Sequence, residues 1–156
     1  MSAAQEGKAI RILDGQRLMA VSTVRPDGWP QTTIVGYANI GLVIYFLIFR
    51  ASQKFENISK DNRVSIAVAP EPRNLGELQA VYAGATASEV VDPAERDQAW
   101  RLLVDRHPNL ADYELPSTSV TALMRANCKY VSVLDYATSW GAAEKFTVEE
   151  ETAGSS

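Results

Sequence analysis

The segment Arg50-Ala51-Ser52-Gln53-Lys54 concentrates groups that can do chemistry. Two cations flank a serine where an apolar run gives way to a helical pattern. A helix start leaves backbone N–H groups without partners and carries a partial positive charge. Ser52 is a good N-cap, and with Arg50 and Lys54 it makes a phosphate cradle. The competing reading of the same residues is a plain helix cap between two solvated basic side chains, a common arrangement. Gln31, Thr32, Thr33 and Val35 form a second candidate surface, whose backbone and hydroxyls suit the polar edge of a planar ring. Threonine is also common in strands for reasons of β-propensity alone.

The remaining reactive side chains point to structure. His107 is the one histidine and Cys128 the one cysteine. Within one chain this excludes a disulfide, a thiolate zinc site and a multi-histidine metal site. No Gly-x-Ser-x-Gly elbow accompanies His107, which ends a helical stretch, where a cation is favoured. Cys128 is expected as a buried, inert thiol. Trp100 is expected in the core. Trp29 sits at a turn. Trp140 follows the last expected strand and lies over a ligand, against a partner subunit or in the core, the last two being the commoner roles of a large aromatic.

The elements that must position these groups are mainly strands. Leu18–Val24 and Gln31–Ala38 flank Asp27-Gly28, a strong hairpin signal. Asn39–Gly41 makes a second turn into Leu42–Phe49, apolar on both faces. Arg63–Ala69 and Gln79–Val91 follow, with Gly84 expected at a bulge or tight bend. Helices are expected over Ala4–Asp14 and Ser52–Asp61, the latter with Phe55 and Ile58 inward. A third covers Asp92–Arg106, where Asp92, Pro93 and Glu95 read as a capping box and Trp100, Leu103 and Val104 as the apolar stripe. A further helix is expected over Ser117–Asn127, with Val120, Leu123 and Met124 on one side, before a last strand at Tyr130–Tyr136. Tight hairpins make the sheet largely antiparallel, and six short strands suggest a closed or nearly closed barrel.

Composition sets the class. The chain has 156 residues, 46% hydrophobic and 22% charged, with a net charge of −4. That is one globular domain, expected over residues 1–148, with 149–156 as a frayed tail. An acidic chain is a poor match for a phosphate backbone, so nucleic acid is excluded as a general partner. The apolar run Gly41–Phe49 is too short to span a bilayer, and Met1–Gly15 lacks the long apolar run of a secretory signal. A membrane is therefore not an expected partner, and the expected compartment is the cytoplasm.

Taken in order, these segments resemble the pyridoxamine 5'-phosphate oxidase-like FMN-binding split barrels. The resemblance rests on Ala20-Val21-Ser22-Thr23-Val24 with Asp27-Gly28-Trp29-Pro30, on Leu42–Phe46, and on Arg50-Ala51-Ser52-Gln53-Lys54. It continues through Asn57-Ile58 and Asp61-Asn62-Arg63-Val64-Ser65-Ile66-Ala67-Val68 to the ending Tyr130–Tyr136. It covers roughly residues 13–148. It implies a mainly β fold with helices, a six-stranded antiparallel split β-barrel, in a homodimer that holds FMN at its interface. It further implies that Ser52 and Lys54 contact the flavin phosphate with Arg50 and Gln53 beside them. Gln31, Thr32, Thr33, Ile34 and Val35 would run along the ring and ribityl chain, and Trp140 would lie near the flavin. The implied activity is redox chemistry on a small molecule. A non-catalytic flavin-binding or sensing protein, and a deazaflavin-dependent reductase on the same barrel, are the alternatives.

Three departures qualify the resemblance. Ile48 and Phe49 stand where the family often has a hydroxyl, and Gln53 stands where it often has an arginine. No arginine follows Tyr136, so the arginine-rich ending of the true oxidases is missing and oxidation of pyridoxamine phosphate itself is not expected.

Overall fold

The computed structural model describes residues 3–113, 118–138 and 143–148. Among them are three α-helices, two short 3-10 turns and seven strands. Helix α1 is Ala3–Asp14, and Ala9, Ile12 and Leu13 make its buried face. Strand β1, Leu18–Val24, turns into β2, Pro30–Ile40, at Gly28, whose φ of +84° suits a residue without a side chain. Strand β3 is Val43–Phe49, α2 is Gln53–Lys60 and β4 is Arg63–Val68. Strand β5, Gln79–Glu89, leads to α3, Pro93–Arg106. Strand β6, Thr121–Asp135, and a short β7, Ala143–Thr147, complete the order.

All pairings are antiparallel, in the order β3-β2-β1-β4-β5-β6-β7, and β3 also pairs with β6. Six strands thus close into a barrel, and β7 lies beside the far half of β6. The strands β1 and β4 pair over Ala20–Ser22 alone, so the barrel splits beyond Ser22. Alternation of side chains sends Met19, Val21, Val64, Ile66, Val81 and Val131 to the interior. Outside the barrel, α3 covers β2 and β3, where Ala99 and Leu103 meet Ala38, Tyr45 and Leu123 in a second small core.

The structure corrects several sequence readings. Residues 121–127 of the helix expected over Ser117–Asn127 are the first half of β6. Thr121, Ala122, Leu123 and Met124 are all buried, because one face of the strand lines the barrel and the other lies under α3. A run buried on both faces has no clear period, so Val120, Leu123 and Met124 mimic a helical stripe. Trp100 is only half-buried; Ala99 and Leu103 form the inward stripe of α3. The capping box is half made. Asp92 accepts the Glu95 N–H at 3.0 Å, but the Glu95 carboxylate leaves the box to bind Arg125 and the Tyr45 hydroxyl. The bulge expected at Gly84 lies opposite it: the pairing steps from Gly84–Tyr130 to Ala85–Cys128, leaving Lys129 as the extra residue. Gly84 has a separate reason to be glycine, since a Cβ there would stand 2.7 Å from Tyr130 Cδ2. Strand β7 went unanticipated. Trp140 and the tail expected at 149–156 lie outside the described residues.

Candidate functional site

The site is built where the start of β2 meets the first turns of α2. Asn57 joins the two and is wholly buried. Its Nδ2 donates to Thr23 Oγ1 at 2.9 Å and to Gln31 Oε1 at 3.1 Å. Its Oδ1 accepts from Gln53 Nε2 at 2.8 Å. A buried carboxamide with its hydrogen bonds made fixes the elements that carry its partners. Gln31 of β2 and Gln53 of α2 are thereby held in one network. Sequence reasoning placed Asn57 only inside a motif; its signal was a polar residue next to Ile58 on the inward side of a short amphipathic helix.

The other residues around this network differ in how free they are. The Ser52 hydroxyl accepts the Phe55 N–H at 3.2 Å and donates to the Phe49 carbonyl at 2.6 Å, so it caps α2 as expected. The amides of Gln53 and Lys54 lie in the first turn, where helical geometry supplies no carbonyl. Lys54 is half-buried and makes no hydrogen bond or ion pair among the described residues. Thr33 lies two residues along from Gln31, on the same face of β2. Its buried Oγ1 has no partner among the described residues. Thr32 and Ile34 face outward, with Thr32 Oγ1 2.7 Å from Ser22 Oγ and Ile34 exposed. Val35 packs on the barrel core.

Arg50 is committed elsewhere. Its Nη2 lies 2.7 Å from Glu89 Oε1, and its Nε donates to the Thr118 carbonyl. The guanidinium also sits 5.3 Å from the centroid of the Phe55 ring. The two cations of the Arg50–Lys54 segment are therefore unequal: Lys54 is available and Arg50 is held. An unpaired ammonium, first-turn amides and an unpartnered buried hydroxyl are groups that accept a phosphate and a polar ring substituent, so the residues present fit a flavin mononucleotide in kind.

His107 and Cys128 stay outside this site. His107 caps α3, with Nε2 2.9 Å from the Tyr37 carbonyl and its ring over Gly36. Cys128 is buried, and burial pushes its thiol up to about 11. Neither a thiolate nor a free imidazole is offered there. Among the described residues no cluster of metal-ligating side chains occurs, and no helix is long and apolar enough to cross a membrane.

The fold and this junction define the class, an antiparallel split barrel with a polar hydrogen-bonded network where α2 meets β1 and β2. The chain belongs to the pyridoxamine 5'-phosphate oxidase family, whose model matches residues 6–134. Its structure is similar to that of a heme-binding protein from Mycobacterium smegmatis, at 17% identity and a TM-score of 0.77. The match covers 94% of this chain and 58% of that one. The conserved hypothetical protein Rv2991 from Mycobacterium tuberculosis is 22% identical, with a TM-score of 0.74 over 98% of this chain and 95% of that one. An FAD-binding protein from Mesorhizobium loti is 20% identical, with a TM-score of 0.66 over 85% and 94%. At these identities the likeness concerns the fold. The search of curated proteins found no match.

Proposed function

We propose that this chain, as one split-barrel domain over residues 1–148, is an FMN-binding flavoprotein. It works as a homodimer and carries out redox chemistry on a small molecule. The observation that carries the reading is the junction at Asn57, which holds the start of β2 against α2 beside the unpaired ammonium of Lys54 and the unpartnered hydroxyl of Thr33. Membership of the family supports it. Lys54 and the first-turn amides of α2 hold the phosphate, with Ser52 fixing the helix start. Gln31 to Val35 run along the ribityl chain and ring. When bound, the flavin supplies the electron or hydride chemistry, and the chain supplies binding, orientation and electrostatics.

The proposed partner surface is the outer face of the sheet. Two rows of outward residues cross it in register, Ile34-Ala20-Ala67-Tyr82-Ser132-Lys145 and Thr32-Ser22-Ser65-Gly84-Tyr130-Thr147. Small residues in the middle and exposed tyrosines beyond them form a groove of about 710 Å³ lined by Tyr82, Gly84, Tyr130 and Lys145. Exposed apolar and aromatic patches of this kind mark association surfaces.

The test is an absorbance spectrum of purified protein loaded with FMN and freed of excess by gel filtration. Flavin bands are expected to co-elute with a dimer. Lys54→Gln should weaken FMN about ten-fold or more, the worth of one charge-assisted hydrogen bond. It should leave riboflavin, which lacks the phosphate, nearly unchanged. A colourless protein, or equal losses for the two flavins, would sink this assignment.

A further inference from the structure

We infer that Glu89 is a specificity-determining residue of the proposed phosphate site, because it holds Arg50 as a counter-ion and competes with a ligand phosphate for that guanidinium. The inference rests on the flavin reading for the nature of its ligand. Glu89 ends β5, and Arg50 follows β3, so the pair joins segments from different parts of the barrel. The carboxylate meets Nη2 with both oxygens, at 2.7 and 2.9 Å. The two side chains are 28% and 26% exposed, so the charges sit at the rim of the protein rather than in bulk solvent. Nε is taken by the Thr118 carbonyl, the guanidinium lies toward the Phe55 ring, and the Arg50 N–H donates to the Val120 carbonyl at 2.9 Å. Nη1 is the end of the fork with no partner among the described residues.

A phosphate near Lys54 gains from Arg50 only by displacing Glu89 or by approaching Nη1 with the carboxylate still beside it. Either route sets two anions against each other in a partly desolvated place, where repulsion is screened less than on an open surface. The other nearby carboxylate, Glu56, is held by Gln53 and Lys60 on its own helix. Glu89 is thus the group that sets how much positive charge the site shows to a ligand. The consequence is a site in which Arg50 adds little to the affinity that Lys54 and the first-turn amides of α2 draw from the phosphate, so that the preference for a phosphorylated flavin stays below what two free cations would give.

The experiment measures FMN and riboflavin dissociation constants for the wild type and Glu89→Gln, which keeps the size and hydrogen-bonding shape and removes the charge. The FMN-to-riboflavin affinity ratio should rise roughly 3- to 10-fold in the variant, the scale of one partly screened charge. An unchanged or reduced ratio overturns the inference and leaves Glu89 as a structural staple. If the wild type binds neither flavin, the flavin reading fails, and inorganic pyrophosphate becomes the probe. A larger thermal stabilisation of Glu89→Gln than of the wild type by pyrophosphate then supports the competition, and an equal one refutes it. Glu89→Ala replaces the Gln variant if that variant does not fold, with the same outcomes read.

Discussion

Asn57 engages three side chains from β1, β2 and α2 through its carboxamide, and that makes it the residue on which the junction depends. Removing it leaves Thr23, Gln31 and Gln53 with donors and acceptors that have lost their partner in a buried place. Asn57→Ala should therefore lower stability by about 1–3 kcal/mol in urea denaturation, the cost of unsatisfied buried polar groups. It should also weaken flavin binding, because Gln31 and Gln53 lose their common anchor. A variant as stable as the wild type would mean that the network contributes nothing net. Ser52 is a poorer probe of the phosphate site, since its hydroxyl caps α2 and its loss costs about 1 kcal/mol of helix stability whatever the ligand does.

Helix α1 is tied to the barrel at its end and at its middle. Tyr37 Oη donates to the Leu13 carbonyl at 2.6 Å, and Arg106 Nη1 donates to the carbonyls of Leu13 and Gln16. At its middle, Lys8 Nζ meets Asp135 Oδ2 at 2.7 Å, on a side chain that is 7% exposed. The Lys8 ammonium, with Gln79 and the Ala137 N–H also donating, holds the Asp135 carboxyl below its usual range. A carboxylate lowered by folding adds stability above its unfolded pKa of about 3.9, and that stability disappears as pH falls through the folded value. Stability should thus fall below about pH 4. Lys8→Met should flatten that part of the curve and cost about 1.5–3 kcal/mol at neutral pH, the range for hydrogen bonds to charged groups. Denaturation series for the two proteins between acid and neutral pH test this, and parallel curves would dismiss the link.

At the scale of the whole molecule, the barrel interior is closed while the outer face stays open between α1 and the α3 side. Tyr82 and Tyr130 stand exposed on that face, the second with its ring laid over Gly84. A charge placed at the centre of the proposed dimer contact should break it. Tyr130→Glu is expected to sediment as a monomer with an unchanged circular dichroism spectrum, and to lose flavin affinity if the cofactor needs both subunits. A variant that remains a dimer would move the contact to another face.

The sequence by itself determined most of the barrel, because its strands are bounded by turns whose chemistry is local. Gly28 and Gly41 sit where the chain needs positive φ, and alternation along β1 and β4 sets the inward faces of those strands. It also determined the cap at Ser52, since capping needs only neighbouring residues. Tertiary structure decided what depends on distant partners. β6 became a strand through its position between β3 and β5 and under α3, where burial on both faces hid its period. Arg50 and Lys54 have the same charge in sequence, yet Glu89, thirty-nine positions along the chain from Arg50, occupies one and leaves the other free. Asn57 became the joint between α2 and the sheet because folding brought β1 and β2 to it. Local propensity acts within a few residues, whereas pairing of charges and buried amides is set by which segments the closed sheet brings together.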